Sequence, residues 1–160
     1  MITLIQQVLT KARKRAYKKG RKSTLASTLL LIFYSSFSYA DISVVVNKSN
    51  NNVISTSDIR KIFLGKKISF ADGSPAIPLI HEESSEQAQH FNSVLLKRSP
   101  QQYKSYWARM IFTGKMRPPE EAYSDEETID RIATNPSIIS YIKSSSLTNE
   151  IKEVLRIKKQ

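Results

Sequence analysis

From residue 41 onward, short apolar runs alternate with segments of helical period. Asp41-Ile-Ser-Val-Val-Val-Asn47 is β-branched and apolar at nearly every position, which predicts a central strand covered on both faces. Asn47–Asn52 reads as a polar, Asn-rich loop. Ser57 can cap a short helix carrying Ile59, Ile62 and Phe63 on one face, with Gly65 as its stop. Lys67–Phe70 and Ala76–Leu79 flank the turn signal Ala-Asp-Gly-Ser and predict a hairpin or strand pair. Pro75 and Pro78 push the second of these runs toward an edge or an irregular strand.

Ser84 and Ser85 ahead of Glu86 and Gln87 supply capping chemistry for a helix to about Lys97, with Phe91, Val94 and Leu95 on one side. Ser99-Pro100 is a second cap with Pro at the first helical position. The helix after it carries Tyr103, Tyr106, Trp107, Met110 and Ile111 at 3–4 spacing and ends at Thr113-Gly114-Lys115. Ser124-Asp125-Glu126-Glu127 opens a third long helix to about Ala133, with acids where the helix dipole favours them. Asn135-Pro136 breaks it, Ile138–Ile142 returns as a strand, and residues 151–157 alternate as a final strand, with a helix as the alternative. No repeat or low-complexity linker interrupts residues 41–160, so the alternation predicts an α/β sandwich around one sheet.

Charge divides the chain unevenly. The 160 residues carry 25 Lys+Arg and 14 Asp+Glu, a net of +11, but residues 1–40 hold eight of the bases and no acid. The remaining 17 bases and 14 acids leave residues 41–160 at +3, an ordinary balance that disfavours nucleic-acid binding. Within the first forty residues the basic stretch ends at Lys22 and a 13-residue apolar core, Leu25–Phe37, follows. That core is short of the ~20 residues a membrane-crossing helix needs. Ser38-Tyr39-Ala40 then places small residues ahead of Asp41. Residues 1–40 are therefore expected to be a signal peptide for the general secretory route, cleaved after Ala40, leaving residues 41–160 as one periplasmic domain. An uncleaved anchor or a basic amphipathic surface helix is the alternative. With no Cys, packing alone holds the domain.

Several segments of this domain resemble one family. Ile54-Ser-Thr-Ser-Asp58-Ile59-Arg-Lys-Ile62-Phe63-Leu-Gly65-Lys66 is similar to the "L-s-x-x-D-I-x-x-I-F-x-G-k" signature of phosphate-type periplasmic solute-binding proteins. Phe70, Asp72-Gly73 and Ile77–Leu79 fit the aromatic, turn and strand that follow it, and Glu83, Ser85 and Phe91 fit the polar helix start after that. Tyr106-Trp107 with Phe112-Thr113-Gly114-Lys115 looks like the "Y-W…F-x-G" of a compact subfamily of phosphate ABC transporter substrate-binding proteins. Asn135-Pro136-Ser137-Ile138-Ile139-Ser140-Tyr141-Ile142 looks like that family's "N-P-g-a-I-G-Y-I" strand entry. The chain departs from the pattern at Ser137 and Ser140, where Gly is common, and at Ala88, where many relatives carry a base. The length matches one lobe of a two-lobed receptor. The resemblance implies a type II periplasmic-binding-protein lobe, a mixed sheet flanked by helices, that binds rather than transforms its ligand. The implied partners are inorganic phosphate or a related oxyanion, and an inner-membrane permease or another envelope protein.

A helix start offers unpaired N–H groups and a positive dipole end, and serine hydroxyls donate to oxyanions without adding charge. The candidate ligand residues are therefore Ser84, Ser85 and Glu86 at one helix start. Asn47, Lys48 and Ser49 after the first strand join them, expected near the same carboxyl edge of the sheet. Thr113, and with it Lys115, is a weaker candidate there. Glu82, Glu83 and Glu86 oppose an anion, and Ser84 or Ser85 can equally be a plain cap. His81-Glu82-Glu83-Ser84-Ser85 lacks the second His of a zinc-protease motif, and with His90 as the other His a metal site is not expected. Ser85, His81 and Asp72 make a hydrolase triad only on paper, without a Gly-x-Ser-x-Gly elbow. No enzyme, cofactor or metal is expected. The alternative function is an envelope protein-interaction module that keeps the lobe and has lost the ligand.

Overall fold

The computed structural model describes residues 40–114 and 116–158, so the predicted export segment, Ala40 apart, lies outside the described residues, as does Lys115. Five strands form one mixed sheet: β1 (Ile42–Asn47), β2 (Ile77–His81), β3 (Glu120–Ala122), β4 (Ile138–Lys143) and β5 (Ile151–Ile157), in the order β3-β2-β4-β1-β5. β2 runs parallel to β3 and β4, whereas β1 runs antiparallel to both of its neighbours, β4 and β5. Among the described residues, four α-helices flank the sheet: α1 (Thr56–Phe63), α2 (Glu86–Phe91), α3 (Pro100–Phe112) and α4 (Asp125–Thr134). A π-helical turn, Asn92–Leu96, extends α2 and ends at Lys97, which adopts a left-handed conformation at φ 55°.

Every residue of β1 is buried because both faces of the sheet are covered. Val44 and Val46 point into a core with Ile59, Ile62 and Phe63 of α1, Phe91 of α2, Tyr103 and Trp107 of α3, and Tyr141 of β4. Val45 points to the other face, against Ile129 and Ile132 of α4 and Ile138 and Ile142 of β4. Period-two alternation thus sorts three valines in a row between two cores. Phe91 stacks on Tyr141 with centroids 4.0 Å apart, and Phe63 meets Phe91 edge-on at 4.7 Å. Among the described residues, no helix is long and apolar enough to cross a membrane.

Several local expectations change. The cap of α1 is Ser55, whose hydroxyl accepts from the Asp58 N–H, rather than Ser57. Asp58 in turn pairs with Lys67 at 2.8 Å, and that bond together with the Ser55 hydroxyl holds its carboxyl below the usual range. Gly65 does end the helix, at φ 65°, with Trp107 and Met116 packed where a Cβ would project. The segments around Ala-Asp-Gly-Ser form only a single bridge, Ser69 to Pro75, instead of a hairpin. β2 lies inside the sheet rather than at its edge, because it changes partners at its proline. Ile77 and Pro78 pair with β4, and Leu79–His81 pair with β3. Beyond Pro78, side chains bridge the gap to β4: the Ser140 hydroxyl donates to the Leu79 carbonyl (2.8 Å), and the His81 N–H donates to the Tyr141 hydroxyl (3.2 Å). Pro is tolerated at this interior position because it sits where the ladder is handed from one neighbour to the other.

Candidate functional site

Helices α2 and α4 both begin just beyond the carboxyl ends of β2 and β3, and both are capped by serine. Ser85 accepts from the Ala88 N–H (3.2 Å), and Ser124 accepts from the Glu127 N–H (3.1 Å). Their starts line one cleft of about 330 Å³, together with His81, Tyr123, Lys143 and Ser146. The first N–H groups of a helix have no partner within it, so this edge presents two sets of donors and two positive dipole ends.

An acid of the chain itself already stands at this edge and draws other donors to it. Asp125, the first residue of α4, is 8% exposed. One of its oxygens accepts from the Gln87 side-chain amide (3.1 Å) and lies 3.5 Å from His81 Nε2. The other accepts from the Ser146 hydroxyl (2.6 Å) and the Lys143 N–H (3.3 Å). His81 Nε2 is 2.8 Å from the Tyr141 carbonyl, a contact that places the ring proton on that nitrogen. Burial pushes the His81 pKa down, against the pull of Asp125, so the ring is neutral and the cleft gains no cation from it. Glu82 and Glu126 stand exposed at the rim, and Lys143 is the one basic side chain lining it.

The predicted ligand residues do not assemble at one place. Ser84, Ser85 and Glu86 do lie at the start of α2, but the Ser84 hydroxyl donates to Glu82 (2.8 Å) and Ser85 is occupied as the cap. Asn47, Lys48 and Ser49 lie at the opposite edge of the sheet. β1 pairs Ile42 with Lys143 and Val46 with Ile139, so its carboxyl end falls beside the amino ends of β2 and β4, roughly 17 Å of strand away. The expectation that this loop shares the edge with Ser84 and Ser85 is therefore corrected by the antiparallel course of β1. Asn47 is spent there on structure. It donates to the Ile132 and Ala133 carbonyls (2.8 and 3.0 Å) at the end of α4 and accepts from Ser49. Thr113 ends α3, and its hydroxyl donates back to the Arg109 and Met110 carbonyls. Sequence reasoning passed over Asp125 and His81 as members of this site, although acids in the first turn of α4 marked that helix start. Among the described residues, no cluster of His, Cys, Asp or Glu is suited to a metal.

No protein-family model and no curated protein matches the chain. Solved structures do. An ABC-type phosphate transport receptor from Vibrio cholerae shares 16% identity at a TM-score of 0.57, over 74% of this chain and 47% of that one. A phosphate ABC transporter substrate-binding-type protein from Clostridium perfringens, solved with bound phosphate, shares 14% at 0.57, over 73% of this chain and 46% of that one. A third, from Planctomyces limnophilus, shares 14% at 0.54, over 74% and 42%. At such identities the likeness is one of fold. The chain has the α/β fold of periplasmic phosphate-binding proteins and spans less than half the length of these solved structures.

Proposed function

We propose that the chain is an exported, non-enzymatic binding protein that takes phosphate or a related oxyanion weakly at the start of α2. The supporting observation is the convergence of two serine-capped helix starts on one sheet edge, in a fold shared with a phosphate-bound structure. Each helix end contributes roughly 0.3–1 kcal/mol toward an anion. A like charge about 4 Å away costs roughly 1 kcal/mol even in water, and Asp125, Glu82 and Glu126 all flank the cleft. Three such acids outweigh what two helix ends contribute, so the affinity is no tighter than roughly micromolar. An inner-membrane permease or another envelope protein is the corresponding macromolecular partner.

Calorimetric titration with phosphate, with sulfate as control, tests this reading. Saturable heat that disappears in a Ser84→Ala/Ser85→Ala double variant of unchanged circular dichroism supports it. A nanomolar constant contradicts the weak-binding part, and absence of heat up to millimolar phosphate from a folded sample contradicts the oxyanion. A second reading, a protein-interaction module without a small ligand, is favoured by one observation: Asp125 already accepts from donors that a bound anion would use.

A further inference from the structure

The near-neutral balance of residues 41–160 hides an uneven distribution of charge. Residues 87–119 contain no acid and six bases: Lys97, Arg98, Lys104, Arg109, Lys115 and Arg117. The rest of 41–160 holds eleven bases against all fourteen acids and is net negative. By sequence, the six bases fall on α3 and on the loops at its two ends. Elsewhere bases are paired, as Lys67 is with Asp58, Arg131 with Glu120 and Arg156 with Glu153. Among the described residues, Lys97, Arg98, Lys104, Arg109 and Arg117 pair with no acid. Arg98 instead lies over the Tyr106 ring, 4.9 Å from its centroid.

Helix α3 packs inward through Tyr103 and Trp107, which meet edge to face at 6.4 Å. Beside them a second cleft, of about 310 Å³, is walled by Ala88, Ile111, Pro118 and Tyr141. The outer face of α3 therefore runs through Gln101, Ser105, Ala108, Arg109 and Phe112, all exposed. Phe112 ends that face 92% exposed, and Ile111 beside it is half exposed. Lys104 shares the cleft with Ile111 on one flank of α3, while Lys97, Arg98 and Arg109 line a groove of about 630 Å³ on the other. At about 1.5 Å of rise per residue, Arg109 stands roughly 5 Å and Lys104 roughly 12 Å behind Phe112 along the helix. A phenyl ring held in water, with bases behind it on both flanks, has the layout of an interfacial anchor.

We propose that the end of α3 docks the domain on a membrane surface rich in anionic phospholipid. Phe112 and Ile111 enter the boundary between headgroups and acyl chains, and Lys104, Arg109 and Arg117 reach the lipid phosphates. Long basic side chains can lie along an apolar surface while their heads stay in the headgroup layer. A protein partner would have to offer a socket shaped for Phe112, whereas a bilayer accepts any protruding apolar tip. The phosphate surface of a nucleic acid has nothing apolar to cover that ring. Glu83 and Glu121 line the cleft with Lys104, so the bilayer meets the outer face of α3 rather than the mouth of the cleft. The docking uses no residue of the serine-capped edge and stands or falls apart from the oxyanion reading.

The chain has no Cys, so a single introduced thiol can be labelled alone. Ala108→Cys, on the outer face one turn before Phe112, carries a polarity-sensitive nitrobenzoxadiazole dye. Asn149→Cys, in the exposed turn before β5, carries the same dye as a control. Each dye reports its own surroundings, whatever residues 1–40 do. Vesicles of phosphatidylglycerol and phosphatidylcholine in equal parts are expected to brighten the first dye and shift it to the blue, leaving the control unchanged. Phosphatidylcholine alone does neither. About 0.5 M salt, which cuts the screening length to roughly 4 Å, weakens binding at least about tenfold. Arg109→Gln weakens it about 5-fold and Phe112→Ser about 10-fold, with unchanged circular dichroism because both side chains are exposed. The proposal is overturned if the first dye does not move, if phosphatidylcholine alone moves it as far, or if either substitution leaves binding unchanged. Polyglutamate or duplex DNA that moves the dye as far as the vesicles do overturns it too, in favour of an acidic protein or a nucleic acid.

Discussion

The two clefts of this protein stand close together, and His81 lines both, yet their buried polar groups are satisfied to different degrees. At the serine-capped edge, Asp125 draws donors from α2, from β4 and from the turn after it, so an internal carboxylate stands beside the place proposed for an anion. Under α3, Tyr103 and Trp107 are equally buried, and their polar atoms have only each other, in a loosely aligned contact. Buried polar groups are nearly always paired because an unpaired one forfeits its bonds to water. The edge that the fold would nominate as the ligand site is therefore the better satisfied of the two.

That contrast can be broken most sharply at Asp125. Asp125→Ala is expected to cost about 2 kcal/mol, because the Gln87 amide, the Lys143 N–H and the Ser146 hydroxyl lose their acceptor together. Urea unfolding measures the loss, and phosphate should restore part of it in the variant while doing less for the parent. If phosphate stabilises both equally, the carboxylate does not stand in for an anion.

The same chemical change at two tyrosines should then differ in size. Tyr141→Phe removes the acceptor of the buried His81 N–H and is expected to cost about 1–2 kcal/mol. Tyr103→Phe removes only a loosely aligned contact with the Trp107 N–H and is expected to cost about 0.5 kcal/mol or less. Equal losses at both positions would mean that the Tyr103–Trp107 contact is as strong as the bond from His81 to Tyr141.

The smallest effect is a pH dependence. The folded-state pKa of His81 lies below its unfolded value, so the unfolded chain takes up the proton more readily. Stability is then full above about pH 6.5, the unfolded value, and declines as the pH falls from there toward the folded pKa. His81→Gln should flatten this slope below about pH 6.5, as read from thermal midpoints. A slope unchanged by the substitution would assign the dependence to other groups.

Much of the fold was legible in the sequence. Ile42–Asn47 reads as a strand buried on both faces, and it is one; Ser99-Pro100 and Ser124 read as helix caps, and both are. The site was less legible. The grouping of Asn47–Ser49 with Ser84–Glu86 assumed that β1 points the same way as β2, and local patterning carries no strand direction. β3 is three residues long, two of them exposed, so it has no period to detect. The change of partners at Pro78 depends on Ser140 and Tyr141, some sixty residues away in sequence.

By itself the sequence determined the alternation of strands and helices, the division of β1 between two cores, and the helix starts at Ser85, Ser99 and Ser124. Each of these follows from side-chain period and capping, which act over a few residues. The tertiary structure alone decided that β1 lies antiparallel between β4 and β5, which sends Asn47 to the far edge. It also decided that Asp125 fills one cleft while Tyr103 and Trp107 meet edge to face beside the other. Direction and pairing join residues separated by 38 to more than 100 positions, and only close packing brings such groups within the 3 Å or so at which a hydrogen bond exists.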